Sequence, residues 1–173
     1  SEGVPLFVEE FARLSLQSTD IDFAQIPTTL AASVVSRLAR LGEAQRVAQA
    51  CAVIGGPVRF DFLKHLLRLP DADLREALGQ LVRARILVFD NGQASGGYRF
   101  DHALLQEAAY ESLRASRRRA MHRRVANLLQ QHLPRISELQ PEIMARHWTE
   151  AGDLRLAVTA WGSAGLLAVQ RRA

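Results

Sequence analysis

Five histidines, a single cysteine and a run of arginines are the side chains of this 173-residue chain that could most readily do chemistry. Histidine can move protons or ligate metals near neutral pH, and cysteine is a nucleophile where its thiolate is stabilised. The spacing supports neither use. His65, His122, His132 and His147 include no i, i+4 pair on one helix and no cysteine pair accompanies them, so a zinc site is not expected. Cys51 shares an apolar helical stripe with Val47 and Ile54, which predicts a buried structural thiol. No G-x-S-x-G elbow is present to support a serine nucleophile. A G-x-x-x-x-G-K-S/T loop is also missing, and the glycines from Gly92 to Gly97 lie between two strands, so the chain alone is not expected to hydrolyse ATP. From the residues alone, His102 is a partly buried histidine at a helix start, and Pro5 suits the first turn of a helix.

The net charge of +4 comes almost wholly from arginine, because Lys64 is the only lysine. Arg117, Arg118, Arg119, Arg123 and Arg124, with Arg114 just before them, fall within about three helical turns and form a candidate anion or partner surface. Such a cluster is more often a solvated face, or one paired with acidic neighbours, than a nucleic-acid stripe. It lacks the interleaved aromatics that single-strand stacking requires.

Helices must position these residues. The spacing predicts one over residues 5–17, with Phe7, Phe11 and Leu14 on a face, and a second opened by Ile26-Pro27-Thr28 and closed by Gly42, with Leu30, Val34, Leu38 and Leu41 as its stripe. Val47, Cys51 and Ile54 line the next, which Gly55-Gly56 stops. Val58-Arg59-Phe60 reads as a short strand, and Asp61 as the cap of a helix carrying Leu63, Leu66 and Leu67. Pro70-Asp71 opens a helix with Leu74, Leu78, Leu81 and Val82 on one face. Ile86 to Phe89 and Tyr98 to Phe100 flank a glycine-rich turn, a β-hairpin pattern. Three helices followed by a hairpin is the order of a winged-helix domain.

Downstream, Asp101 is expected to cap a helix through Leu105, Ala109 and Leu113, and Ser116 to cap the arginine-rich helix, whose apolar face would be Met121, Val125 and Leu128 before Pro134 ends it. Pro141 starts a helix with Met144, Trp148 and Ala151 on a face and Gly152 as its stop. Asp153 starts the last, with Ala157, Trp161, Ala164 and Ala168 set for close packing. The two would form an αα-hairpin, the unit of tetratricopeptide-like solenoids, and since one such unit cannot cover its own faces the array is expected to continue beyond Ala173. The start at Ser1-Glu2-Gly3, without methionine, likewise predicts a piece of something longer. The expected fold is mainly α: a helical segment at 1–42, a winged-helix domain with a small β-hairpin at 43–100, connecting helices at 101–138, and a first TPR-like helical hairpin at 139–173. One cysteine, no signal peptide and no uninterrupted apolar run of membrane-spanning length point to a cytoplasmic protein with no membrane partner.

Four segments, in order, carry a resemblance: Gly3-Val4-Pro5-Leu6-Phe7-Val8-Glu9-Glu10, Ile26-Pro27-Thr28-Thr29-Leu30, Phe100-Asp101-His102-Ala103-Leu104-Leu105-Gln106-Glu107-Ala108-Ala109-Tyr110, and His147-Trp148-Thr149-Glu150-Ala151-Gly152. The chain resembles the downstream part of a signal-transduction ATPase of the STAND class, as in bacterial multidomain adenylate cyclases and LuxR-type or MalT-like transcriptional regulators. The resemblance implies a P-loop domain upstream, then a helical lid, a winged helix and a helical-repeat sensor that takes a protein partner or small effector. It implies no cofactor for this fragment alone, and ATP or ADP with magnesium in the parent protein. Pro5 is similar to the proline that backs the adenine in this class, and His102 to a histidine that reaches the β-phosphate. Val4 stands where asparagine is often seen, and Asp101 where a basic residue is more usual. The implied role is a non-catalytic regulatory and scaffold module. The alternative is an autonomous winged-helix DNA-binding regulator. Against it, the third helix opens with Asp71-Ala72-Asp73 and carries Glu76, which would meet DNA phosphates with negative charge despite Arg75, Arg83 and Arg85.

Overall fold

A computed structural model of the chain describes residues 35–90, 96–132 and 138–171. The helix expected over residues 5–17 with Pro5, the start of the second helix, the tip of the hairpin turn and Pro134 lie outside the described residues. The fold is mainly α with one small antiparallel hairpin.

Residues 35–39 are helical, and Gly42, at φ 53°, turns the chain into α1 (Glu43–Ile54). Helix α1 is the centre of the molecule. Its alanines at 44, 48, 50 and 52 are all buried, and their small side chains let α2 (Phe60–Leu67), α3 (Asp71–Arg83), α4 (Ala103–Glu111) and α5 (Ala115–His132) approach it from several sides. Gly55 ends α1 at φ 82°, a left-handed turn that favours glycine.

The expected strand at Val58-Arg59-Phe60 reduces to one residue. Val58 makes a two-way backbone bridge to Tyr98, with both N···O distances at 2.8 Å, while Phe60 already belongs to α2. Extended Arg59, not Asp61, is the N-cap of α2, because its carbonyl accepts from the Leu63 N–H at 3.2 Å. Helix α3 buries Leu74, Ala77, Leu78 and Leu81, whereas Val82 is displaced about 100° around the helix from Leu81 and stays exposed. Strands β1 (Leu87–Asp90) and β2 (Gly97–Phe100) pair antiparallel, with Leu87 opposite Phe100 and Asp90 opposite Gly97.

Three further expectations shift by a residue or a face. His102, not Asp101, is the N-cap of α4, with its carbonyl accepting from Leu105 N–H at 3.1 Å. Helix α5 begins before Ser116, since the Arg114 carbonyl accepts from Arg118 N–H at 2.9 Å. Its buried face is His122, Val125, Ala126 and Leu129, with Met121 and Leu128 only partly covered at the edges.

Helix α6 (Pro141–Ala151) carries Pro141 in its first turn and ends at Gly152, φ 77°. Asp153 is the N-cap of α7 (Leu154–Gln170), which packs back on α6 as an αα-hairpin. The covered side of α7 runs through Ala157, with Leu156, Ala160, Ala164 and Leu167 partly covered, so Trp161 and Ala168 do not lie on it. Trp161 is half exposed and donates its indole N–H to Thr149 Oγ1 at 3.1 Å. Helix α5 lies against α6 on one side and α1 and α2 on the other, which joins the two halves of the molecule.

Candidate functional site: a buried histidine pair beside two clefts

Two helices that face each other place their polar anomalies in contact. On α5, His122 takes a stripe position with Val125, Ala126 and Leu129; on α6, His147 does so with Met144, Trp148 and Ala151. Packing α5 on α6 brings the imidazoles together with Nδ1 to Nδ1 at 2.9 Å and ring centroids 5.1 Å apart. From α4, the Tyr110 hydroxyl lies 3.0 Å from His122 Nε2 and 3.4 Å from Glu150 Oε2. Both histidines are buried.

Burial governs their charge. It holds His122 down at about 4, with Arg146 and Arg118 adding to the effect and Glu150 opposing it. His147 is lowered to about 3, chiefly by burial and then by His122 and Arg146. Burial also raises the Tyr110 phenol, helped by Glu150, so all three groups are neutral at pH 7.

Tyr110 has one proton to give. Donated to Glu150, it leaves the phenol oxygen to accept from His122 Nε2–H; donated to His122 Nε2, the shorter contact, it puts the His122 proton on Nδ1, which then donates to His147. In either case His147 Nε2 is buried and has no hydrogen-bond partner among the described residues.

Clefts lie to either side. One of about 550 Å³ has Ile54, Val58, Phe62, Leu129 and Ile143 as apolar walls, with Arg59, Gln140, Glu142, Arg146 and His147 contributing polar groups. A second, of about 440 Å³, is bordered by Gln106, Glu107, Tyr110, His122, Arg146 and Glu150. Arg146 stands between them. Its guanidinium donates to the Ile54 carbonyl at 2.7 Å and lies 2.8 Å from where a Cβ on Gly55 would sit. That contact caps the carbonyl end of α1 with a cation, which the helix dipole favours.

No group of three or more His, Cys, Asp or Glu side chains among the described residues could hold a metal ion. Cys51 is fully buried, and burial pushes its thiol up to about 12, which leaves no thiolate for nucleophilic attack.

Those of the residues singled out from sequence as candidate site residues that are described border neither cleft. Pro5 lies outside the described residues. His102 is partly exposed at the start of α4, its Nε2 4.0 Å from Asp101 Oδ2, and it borders neither cleft, although its neighbour Ala103 borders the smaller one. The arginine cluster divides by partner. Arg118 pairs with Glu111 at 2.8 Å and lies over the Tyr110 ring, 5.1 Å from its centroid. Arg123 pairs with Asp153 at 3.3 Å and donates to the Ala151 carbonyl at 3.4 Å. Arg124 donates to the Leu66 carbonyl at the end of α2. Arg117 and Arg119 are exposed and make no ion pair among the described residues. On α3, Asp71 pairs with Lys64 at 2.7 Å and Arg75 lies over the Phe60 ring at 4.7 Å, so Arg75 is occupied within the molecule.

Sequence reasoning missed the His122–His147 pair because it sought ligands close in sequence, and these two are 25 positions apart. The available signal was a histidine inside each of two apolar helical stripes. His65 and His132 also meet across the fold, with ring centroids 4.9 Å apart.

No protein-family model matches the chain. No solved structure matches it. An uncharacterized protein of Rhizobium meliloti (strain 1021) is 31% identical over 176 residues, a match covering 95% of this chain and 17% of that protein. The chain thus spans under a fifth of the length of the curated relative it matches. Among the described residues, no helix is long and apolar enough to cross a membrane.

Proposed function

We propose that the chain is a non-catalytic regulatory and scaffold segment of a nucleotide-switched STAND-class ATPase. In this reading α1 to α3 with the hairpin are a winged helix, and α6 and α7 are the first TPR-like hairpin of a sensor array. The parent protein is cytoplasmic, binds ATP or ADP with magnesium through an upstream P-loop domain, and drives a separate cyclase or transcription output. A protein partner or small effector engages the helical repeats and biases the nucleotide state.

One observation carries this reading: the two halves are locked together through the backbone ends of the first. Arg124 on α5 caps α2 through the Leu66 carbonyl, and Arg146 on α6 caps α1 through the Ile54 carbonyl. A force on the C-terminal hairpin would reach α1 directly through Arg146, and α2 by way of α5 and Arg124. The position of His102 also fits a phosphate, since it sits at the positive end of α4 with its imidazole partly exposed, although the Asp101 carboxylate close by opposes an anion.

Nucleotide titration of the full-length protein tests the proposal. His102→Ala is expected to weaken ADP binding about tenfold, the effect of losing one charge-assisted contact. The 173-residue chain by itself should neither bind nor hydrolyse ATP. Hydrolysis by the short chain at the full-length rate would sink the idea. The DNA-binding alternative predicts duplex binding that falls steeply with salt; a flat low-salt titration removes it.

A further inference from the structure

We infer that His65 and His132 together bind a divalent late-transition cation such as zinc, at the point where the ends of α2 and α5 meet. The inference concerns a metal site of this chain and stands without the reading of nucleotide coupling.

Three observations converge on that chemistry. First, His65 on α2 is exposed, and its Nδ1 lies 2.7 Å from the Asp61 carbonyl oxygen. A carbonyl can only accept, so Nδ1 carries the proton and neutral His65 presents Nε2, on the far side of the ring, as a bare acceptor. Metal-binding histidines are commonly set this way, with the second ring nitrogen donating to a backbone carbonyl. Second, α5 brings the exposed His132 against it, with ring centroids 4.9 Å apart and planes inclined at 44°. With Zn–N bonds of about 2.0–2.1 Å and a ring nitrogen about 1.1 Å from the ring centre, two imidazoles on one tetrahedral ion have centres about 5 Å apart. Third, both residues lie in the last turn of their helices. Unpaired carbonyls make that end of a helix negative, so two such ends favour a cation between them.

The ligand type selects the ion. Neutral imidazole suits zinc, copper and nickel, whereas magnesium and calcium demand oxygen ligands. Of the charges beside His65, Lys64 is paired with Asp71 at 2.7 Å, and the Asp61 carboxylate stands one turn back with Arg59 4.0 Å away. Arg68 follows the helix end and is exposed, so solvent screens its charge. Two histidines do not close a four-ligand structural site, so water fills the remaining positions and the ion stays exchangeable. The fold itself holds the rings at their spacing: Arg124, about two turns before His132 on α5, donates to the Leu66 carbonyl next to His65. An ion clipped across the pair would tighten that same contact between α2 and α5.

Zinc titration of the 173-residue chain labelled with ¹⁵N-histidine, at pH 7, tests the site. Without metal, long-range ¹⁵N–¹H spectra should show His65 protonated on Nδ1; the opposite tautomer overturns the inference. One equivalent of Zn²⁺ should then shift His65 Nε2 and one ring nitrogen of His132, while His122 and His147 keep their resonances. Calorimetry should give one saturable site, which His65→Ala and His132→Ala each weaken at least tenfold and for which Mg²⁺ does not compete. A loss below tenfold in either variant, competition by Mg²⁺, zinc shifts confined to other histidines, or no saturable zinc binding refutes the site. Both side chains are exposed, so both variants should fold; should one fail to, the histidine shifts on the native chain decide alone.

Discussion

Helices α1 and α7 differ in what covers them. Helix α1 spans 12 residues and buries eight of them, closed in by four other helices and β2. Helix α7 spans 17 residues and fully buries only Ala157, while Leu154, Val158, Leu166 and Val169 are each about 70% exposed. Both sequences are rich in apolar residues, so apolarity alone does not decide burial. What differs is position in the packing order: α1 is packed by four helices and β2, whereas among the described residues α7 packs chiefly on α6. The outer face of α7 is therefore apolar and exposed among the described residues.

The largest effect that could break this contrast comes from truncating the inner core. Leu78→Ala, at a fully enclosed position on α3, is expected to cost about 3–5 kcal/mol of unfolding free energy. Val158→Ala on α7 should change it by less than about 0.5 kcal/mol. Urea unfolding of the two variants measures both, and equal losses would show that the outer face of α7 is covered in solution.

The junction between the two regions supplies the next effect, through pH. His122 and His147 are lowered to about 4 and about 3 from the ordinary 6.5. Below pH 6.5 the unfolded chain takes up protons that the native imidazoles refuse. Stability is therefore complete above that pH and falls as pH drops toward the native values, on the order of 1 kcal/mol per pH unit for each histidine. Between pH 6.5 and 5 ordinary carboxylates contribute little, so a urea midpoint flat across that window would place the pair in contact with solvent.

The smallest effect sharpens the contrast at one residue. Gly55→Ala forces a side chain onto φ 82° and into the Arg146 guanidinium, and should cost about 1–2 kcal/mol. In the Arg146→Ala background the steric part disappears and only the backbone strain persists. A double-mutant cycle should therefore show a coupling of at least about 0.5 kcal/mol, and strict additivity would mean that Arg146 does not rest on Gly55.

Much of the fold was legible because its signals are local. Gly55 and Gly152 stop helices where the left-handed φ is needed, Pro141 opens one, and the alternating residues around Leu87 and Tyr98 mark the hairpin. Errors arose where two local rules competed. Asp61, Asp101 and Ser116 are good capping types, yet Arg59, His102 and Arg114 provide the first accepting carbonyls, because the chain direction imposed by packing sets where each helix begins. Val58 to Phe60 has strand-like composition but only one residue has a partner strand in reach.

The candidate site was much less legible. The arginine cluster was visible as charge, but only the fold separates Arg124, which caps α2, and Arg123, which clamps Asp153, from the exposed Arg117 and Arg119. Sequence by itself determined helix periodicity, the main stops and starts, and the absence of a phosphate-binding loop, since these depend on residues within a turn or two of one another. The meeting of His122 with His147 and the cleft beside them were decided by the packing of α5 on α6. Contacts across 25 residues leave no periodic trace, because the chain between them can be rearranged without changing either stripe.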